Sequence, residues 1–162
     1  LGSTAGEDRG WSQCDIEGDR IGLTWNENDG VYYAEYSGAS GNATLAAKQV
    51  ISLPDTLDGV TFNAAYSIAV ALNGADTVGI SAPLCEQDEC NYNAKATRIH
   101  LYWTESTDGG SSFDTPTLLS KPTTSNKKNL NDSPAPLYYD DDTRLVFVTS
   151  RLKRTICFLG FC

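Results

Sequence analysis

The sequence predicts an all-β protein made of short antiparallel strands, and three observations carry that prediction. No long helical period runs through the 162 residues; apolar positions alternate in short runs, split by clusters of Asp, Asn, Gly and Pro. A strand opening on Asp recurs along the chain. Directly after the strand-like run Arg98–Trp103 stands Ser106-Thr-Asp108-Gly-Gly110-Ser-Ser-Phe113, a compact hairpin signature.

In chain order, Arg20–Trp25 and Val31–Tyr36 form the first strand pair, joined through Asn26–Gly30. Ala43–Ile51 follows; its Ala-Thr-Leu-Ala-Ala-Lys-Gln segment also fits a helical turn. Ala65–Leu72 and Thr77–Ala82 flank the Asn73-Gly74 turn. Arg98–Thr104 leads into the hairpin signature and Thr115–Leu119 out of it. Pro136–Tyr139 and Arg144–Thr149 flank Asp140-Asp141-Asp142, and Thr155–Phe161 is the last predicted strand.

Internal repetition organises these strands. Asp19-Arg-Ile-Gly-Leu-Thr-Trp25 aligns with Asp76-Thr-Val-Gly-Ile-Ser-Ala82, 57 positions on, and Asp142-Thr-Arg-Leu-Val-Phe-Val-Thr149 follows 66 later. The implied unit has an opening strand, the Asp strand, a third strand, a turn and a fourth strand. Its copies span about 10–54, 60–121 and 130–162. The last is incomplete, with no fourth strand. Ser37-Gly-Ala-Ser-Gly41-Asn-Ala-Thr44 stands where the first unit needs its turn, without the turn's Asp.

The turn of the second unit has its own physics. Asp108 can accept backbone N–H groups a few residues on, Gly109 and Gly110 permit positive φ, and Phe113 returns a ring to the core. With Ser106, Asp108, Gly110 and Phe113 in place, the stretch resembles the Asp box (BNR repeat) of sialidase-like β-propellers. The resemblance implies that the box is structural, lying between the third and fourth strands of a blade. It also implies about three four-stranded antiparallel blades here, too few to close a six-bladed ring. The chain would then be a fragment, or one copy of a set that closes a propeller together. The alternative fold is a single β-sandwich of lectin-like type.

Composition narrows the function. A net charge of -9 argues against nucleic acid, whose phosphates need basic patches, and against an anionic membrane surface. No apolar run is long enough for a membrane-spanning helix, and no signal peptide is visible. The chain starts at Leu1 and lacks Met, and so reads as processed or partial. Cys85 and Cys90 are read as a local disulfide. Cys157 and Cys162 share the same spacing across the strand-like Phe158–Phe161. Cys14 is left for a C-terminal cysteine or one outside the chain. With the sequon at Asn42, the cysteines point to a secreted or cell-surface glycoprotein. A second sequon at Asn131 is weakened by Pro134.

No catalytic residue is assigned. Sialidases hold substrate with an arginine triad whose first member sits in Arg-Ile-Pro; the nearest matches, Arg20-Ile21-Gly22 and Arg98-Ile99-His100, lack the proline. Asp15, Glu17, Asp19 and Glu35 are carboxylates by position only. Tyr33 and Glu35 share one strand face but read as structural. His100, the single histidine, reads as a packed strand residue. The Glu86/Asp88/Glu89 loop and Asp140–Asp142 read as solvated turns rather than calcium ligands, so neither metal nor cofactor is expected. Trp25 and Trp103 read as core. Tyr138 and Tyr139 point to opposite sheet faces, and one of them is the candidate glycan-facing aromatic. The leading expectation is an extracellular, non-catalytic module that binds glycans or protein partners or builds a surface assembly. The alternatives are a fragment of a secreted sialidase-like glycoside hydrolase, which an upstream Arg-Ile-Pro would favour, and a fibre subunit whose blades neighbouring copies complete.

Overall fold

The computed structural model describes residues 12–86, 99–120, 129–139 and 143–152, the last two segments by their backbone only. Every described element is a strand. They are β1 (Gln13–Glu17), β2 (Arg20–Glu27), β3 (Gly30–Ser37), β4 (Ala43–Ser52), β5 (Asp55–Leu57), β6 (Val60–Phe62) and β7 (Ala64–Ala65). Then come β8 (Ala69–Asn73), β9 (Thr77–Cys85), β10 (Ile99–Ser106), β11 (Thr117–Ser120), β12 (Asn129–Tyr139) and β13 (Thr143–Leu152).

The first sheet is the meander β1-β2-β3-β4, antiparallel throughout. In the second, β9 pairs with β10 and β10 with β11, while β7 and β8 share the other edge of β9. The hairpins β5–β6 and β12–β13 complete the set. The all-β reading therefore holds among the described residues. Ala43–Ile51 is strand, not helical turn, and the expected Ala65–Leu72 strand is split in two. The break lies at Ser67, a non-glycine residue at φ 50, which turns the chain between β7 and β8. β1 occupies the place of the opening strand expected for the first unit, whose residues the sequence did not mark. The pair β5 and β6 escaped the sequence reading, and their Asp58-Gly59 turn takes φ 51 and 76, the left-handed pair that a two-residue hairpin needs. Thr155–Phe161 lies outside the described residues.

The main core lies between the first and second sheets. Val31 and Tyr33 from β3 meet Val70 and Leu72 from β8 and Val78 and Ile80 from β9, all at most 5% exposed. Burial of each such aliphatic side chain contributes about 2 kcal/mol. The approach is close at Gly22, where an added Cβ would come within 2.9 Å of Leu72 Cδ2. Polar ties cross the same junction. Leu72 donates its amide to Asp15 Oδ2 at 2.8 Å, and Asn26 Nδ2 donates to the Ala65 carbonyl at 2.9 Å. β8 adjoins β1 on one side, while β12 runs against β8, β9 and β10. The second-sheet face turned away from the first is buried as well, at Ala69, Ala71, Leu101 and Trp103.

Candidate functional site

The turn between β10 and β11 is an interlocked set of hydrogen bonds. Ser106 Oγ donates to Asp108 Oδ1 at 2.7 Å and accepts the amides of Gly110 at 2.8 Å and Asp108 at 3.3 Å. Ser112 donates its amide to Asp108 Oδ1 at 2.8 Å and its hydroxyl to Oδ2 at 2.5 Å. Gly109 and Gly110 adopt φ 69 and 84. The turn also grips the first sheet. Phe113 meets the Tyr33 ring edge-on at 5.8 Å between centroids, and Lys48 Nζ donates to the Ser111 carbonyl.

The corresponding turn of the first sheet reaches the same end by another route. Asp19, in the turn just before β2, accepts the Ser37 hydroxyl at 2.7 Å and the Ala39 amide at 2.6 Å. The main chain matches too: Gly38 donates to the Asp19 carbonyl, and Gly109 to the Asp76 carbonyl, each at 2.7 Å.

The bonds from Ser112, then the one from Ser106, pull the Asp108 carboxyl down to about 2. A depressed carboxylate stabilises the fold above its unfolded value, and that contribution disappears as pH falls through the folded value. Urea-unfolding midpoints should therefore drop between pH 4 and pH 2. In Asp108→Ala the midpoint at neutral pH should already be lower, and this part of the acid dependence should flatten. A full acid response in the variant would show that other carboxylates carry it.

The polar cluster with most chemical potential is Arg20, Glu35 and Tyr33. Arg20 holds Glu35 in a fork, Nε to Oε1 at 3.0 Å and Nη2 to Oε2 at 2.7 Å, and donates Nη1 to the Gly74 carbonyl at 2.6 Å. The Tyr33 hydroxyl donates to Glu35 Oε2 at 2.8 Å, and Thr44 Oγ1 reaches Oε1 at 3.5 Å. Burial pushes the Glu35 carboxyl up, but the bonds from Arg20 and Tyr33 outweigh it and hold it below its usual range. Burial, then the Glu35 bond, raises the Tyr33 hydroxyl well above the usual phenol range. Tyr33 is fully buried. A nucleophilic tyrosine needs an accessible oxygen that loses its proton readily, and Tyr33 has neither property. The sequence placed Tyr33 and Glu35 on one face; it did not supply Arg20, which faces Glu35 diagonally because Arg20 pairs with Ser37.

His100 is buried beneath β6. Its ring stands edge-on to Phe62 at 5.0 Å, and its Nε2 lies 2.8 Å from Glu86 Oε1. Glu86 thus belongs to a histidine contact, while Asp88 and Glu89 lie outside the described residues, as do Asp140–Asp142. Of the other carboxylates singled out, Asp15 and Asp19 accept the bonds given above, and Glu17 ends β1 exposed. No group of three His, Cys, Asp or Glu side chains that could hold a metal ion occurs among the described residues.

Trp25 corrects the sequence reading. It is half-buried at the surface of the first sheet, stacked on Tyr32 with centroids 5.7 Å apart and planes at 17°. Trp103 is buried, 8% exposed. The two differ because Trp25 lies on the first-sheet face turned away from the second sheet, whereas Trp103 lies on the second-sheet face turned away from the first, along β10, which β12 runs against. Cys14 is exposed and free. Cys85 is buried and disulfide-bonded, while Cys90, Cys157 and Cys162 lie outside the described residues. Asn42 is exposed in the turn before β4. Tyr138 and Tyr139 are consecutive residues at the end of β12; their side chains lie outside the described set. Among the described residues, no helix is long and apolar enough to cross a membrane.

Comparison of the chain with protein-family models, curated protein sequences and solved structures gives no match.

Proposed function

We propose that the chain is an extracellular, non-catalytic binding or assembly module built from Asp-box propeller blades, with a glycan or protein partner. The observation that carries the non-catalytic part is the use made of Tyr33, Glu35 and Arg20. The residue types that sialidase chemistry employs are spent on the junction of two sheets, with the tyrosine hydroxyl hydrogen-bonded to the glutamate and its proton held tightly. The blade reading is supported by the four-strand meander β1–β4, by the second sheet in which β9, β10 and β11 follow an opening edge divided between β7 and β8, by the box turn after β10, and by β8 lying against both β1 and β12. Successive blades about a common axis have their opening strands adjacent in this way; a two-sheet sandwich instead passes strands between layers by Greek-key connections. The disulfide at Cys85 and the exposed sequon at Asn42 support an extracellular setting.

The test is a paired assay of the purified chain on fluorogenic sialosides and other glycosides and on an array of immobilised glycans. The expected result is retention of a subset of glycans with no turnover. Turnover that disappears in Glu35→Gln would overturn the reading in favour of a glycoside hydrolase.

A further inference from the structure

Each four-strand unit has two faces, and the internal repeat relates them from one sheet to the next. Ile21, Leu23 and Trp25 on β2 correspond to Val78, Ile80 and Ala82 on β9, 57 positions on. The pairing across the next strand repeats as well. Trp25 faces Tyr32 as Ala82 faces Tyr102; Thr24 faces Tyr33 as Ser81 faces Trp103; Gly22 faces Glu35 as Gly79 faces Glu105. In the second sheet the face bearing Val78, Ile80, Ala82 and Tyr102 is covered by the first sheet, and these residues are at most 1% exposed. The matching face of the first sheet has no sheet against it among the described residues. Ile21, Leu23, Trp25, Tyr32 and Tyr36 are all half-buried there, and Ile16, on the same face through its pairing with Ile21, is 64% exposed.

We infer that this outer face of the first sheet is a self-association surface, which takes the β12–β13 end of a second copy of the chain. The sheets stack in order, first, second, then β12–β13, each turning its glycine-bearing face toward the next. The outer face of the first sheet is the type that receives such a sheet. A contact of head to tail joins different surfaces of two copies, so it propagates into a ring or a fibre. The surface has the side chains for it: aliphatic residues around the stacked Trp25–Tyr32 pair, at positions where the repeat elsewhere buries residues in a sheet junction. The net charge of -9 opposes association of copies, so salt should strengthen it. The inference rests on the blade reading above and names the chain itself as the partner.

Sedimentation velocity in reducing buffer, so that exposed Cys14 forms no crosslinks, tests it. The wild-type chain should sediment as multiples of 17.5 kDa, with the larger species favoured as salt is raised from about 0.05 to about 0.5 M. Leu23→Glu should weaken association at least tenfold with an unchanged far-ultraviolet circular dichroism spectrum. Ile16→Glu, at an exposed rim position that cannot disturb the core, should weaken it as well and serves if the first variant fails to fold. Alkylation of Cys14, which pairs with Leu23 in register, should slow in the assembled protein. A wild-type chain that stays monomeric at about 100 µM, well above the range of a micromolar contact, in both salts overturns the inference. So does association unchanged in both variants. A monomer that still retains glycans leaves the functional reading standing, whereas an assembling chain that hydrolyses sialosides overturns that reading and not this one.

Discussion

Arg20→Met should destabilise the protein by about 3 kcal/mol or more, because it strands the Glu35 carboxylate in a largely buried position. The side chains of the pair are only 15% and 11% exposed, and the fork between them is bidentate. Arg20 also carries the bond to Gly74, so the change loosens the first sheet from the β8–β9 turn. For a chain of this length such a loss lowers the melting temperature by roughly 10 °C. The informative comparison is the double variant Arg20→Met/Glu35→Leu, in which neither charge remains. Replacing both members of a buried pair with apolar groups is often neutral or favourable, so the double variant should recover much of the loss. Thermal unfolding of the two variants beside the wild type measures this. Equal damage in both would mean that the bond to Gly74, rather than the unpaired charge, dominates.

The second large effect is expected at Gly110. Its φ of 84 already disfavours any side chain, and a Cβ there would sit 2.6 Å from Tyr33 Cε1 and 3.0 Å from Leu45 Cδ2. Tyr33 cannot swing aside cheaply, because it is fully buried and its hydroxyl is tied to Glu35. Gly110→Val should therefore cost about 3 kcal/mol from overpacking together with the left-handed backbone. Gly109→Ala is the control. It has a similar φ of 69, but nothing lies within 4 Å of its added Cβ, so it should show the backbone penalty alone. The gap between the two, read from urea midpoints, isolates the contact between the turn and the neighbouring sheet.

Much of the strand order was legible because alternation and turn chemistry are local. Asn73-Gly74 and the hairpin at 106–113 sit where those residues predict turns. What escaped was short or non-local. β1 carries Gln13, Asp15 and Glu17 around a single Ile16 and has almost no apolar signature. The β5–β6 hairpin was betrayed only by Asp58-Gly59, with three-residue strands on either side. The split of β7 from β8 depends on a serine at positive φ, which no apolar pattern encodes. At the candidate site, the shared face of Tyr33 and Glu35 follows from strand period alone. The arginine that pairs with Glu35 comes from another strand and could be found only once the β2–β3 register was known. Asp19 is the same case. The turn of the first sheet has no counterpart of Asp108, yet an aspartate 18 residues before Ser37 takes its place.

The sheet junction also has a bearing on how the chain acquires its structure. Within each meander the strands pair with near neighbours in sequence, so a sheet can form from local contacts at small entropic cost. The ties that join the sheets span far longer loops: Asp15 to Leu72 across 57 residues, Arg20 to Gly74 across 54, Lys48 to Ser111 across 63. Loop closure of that length is rewarded only after both surfaces exist. The natural cooperative unit is then the individual sheet, and the turn at 106–113, complete only when its own sheet is, acts as the late latch that commits one foldon to the next.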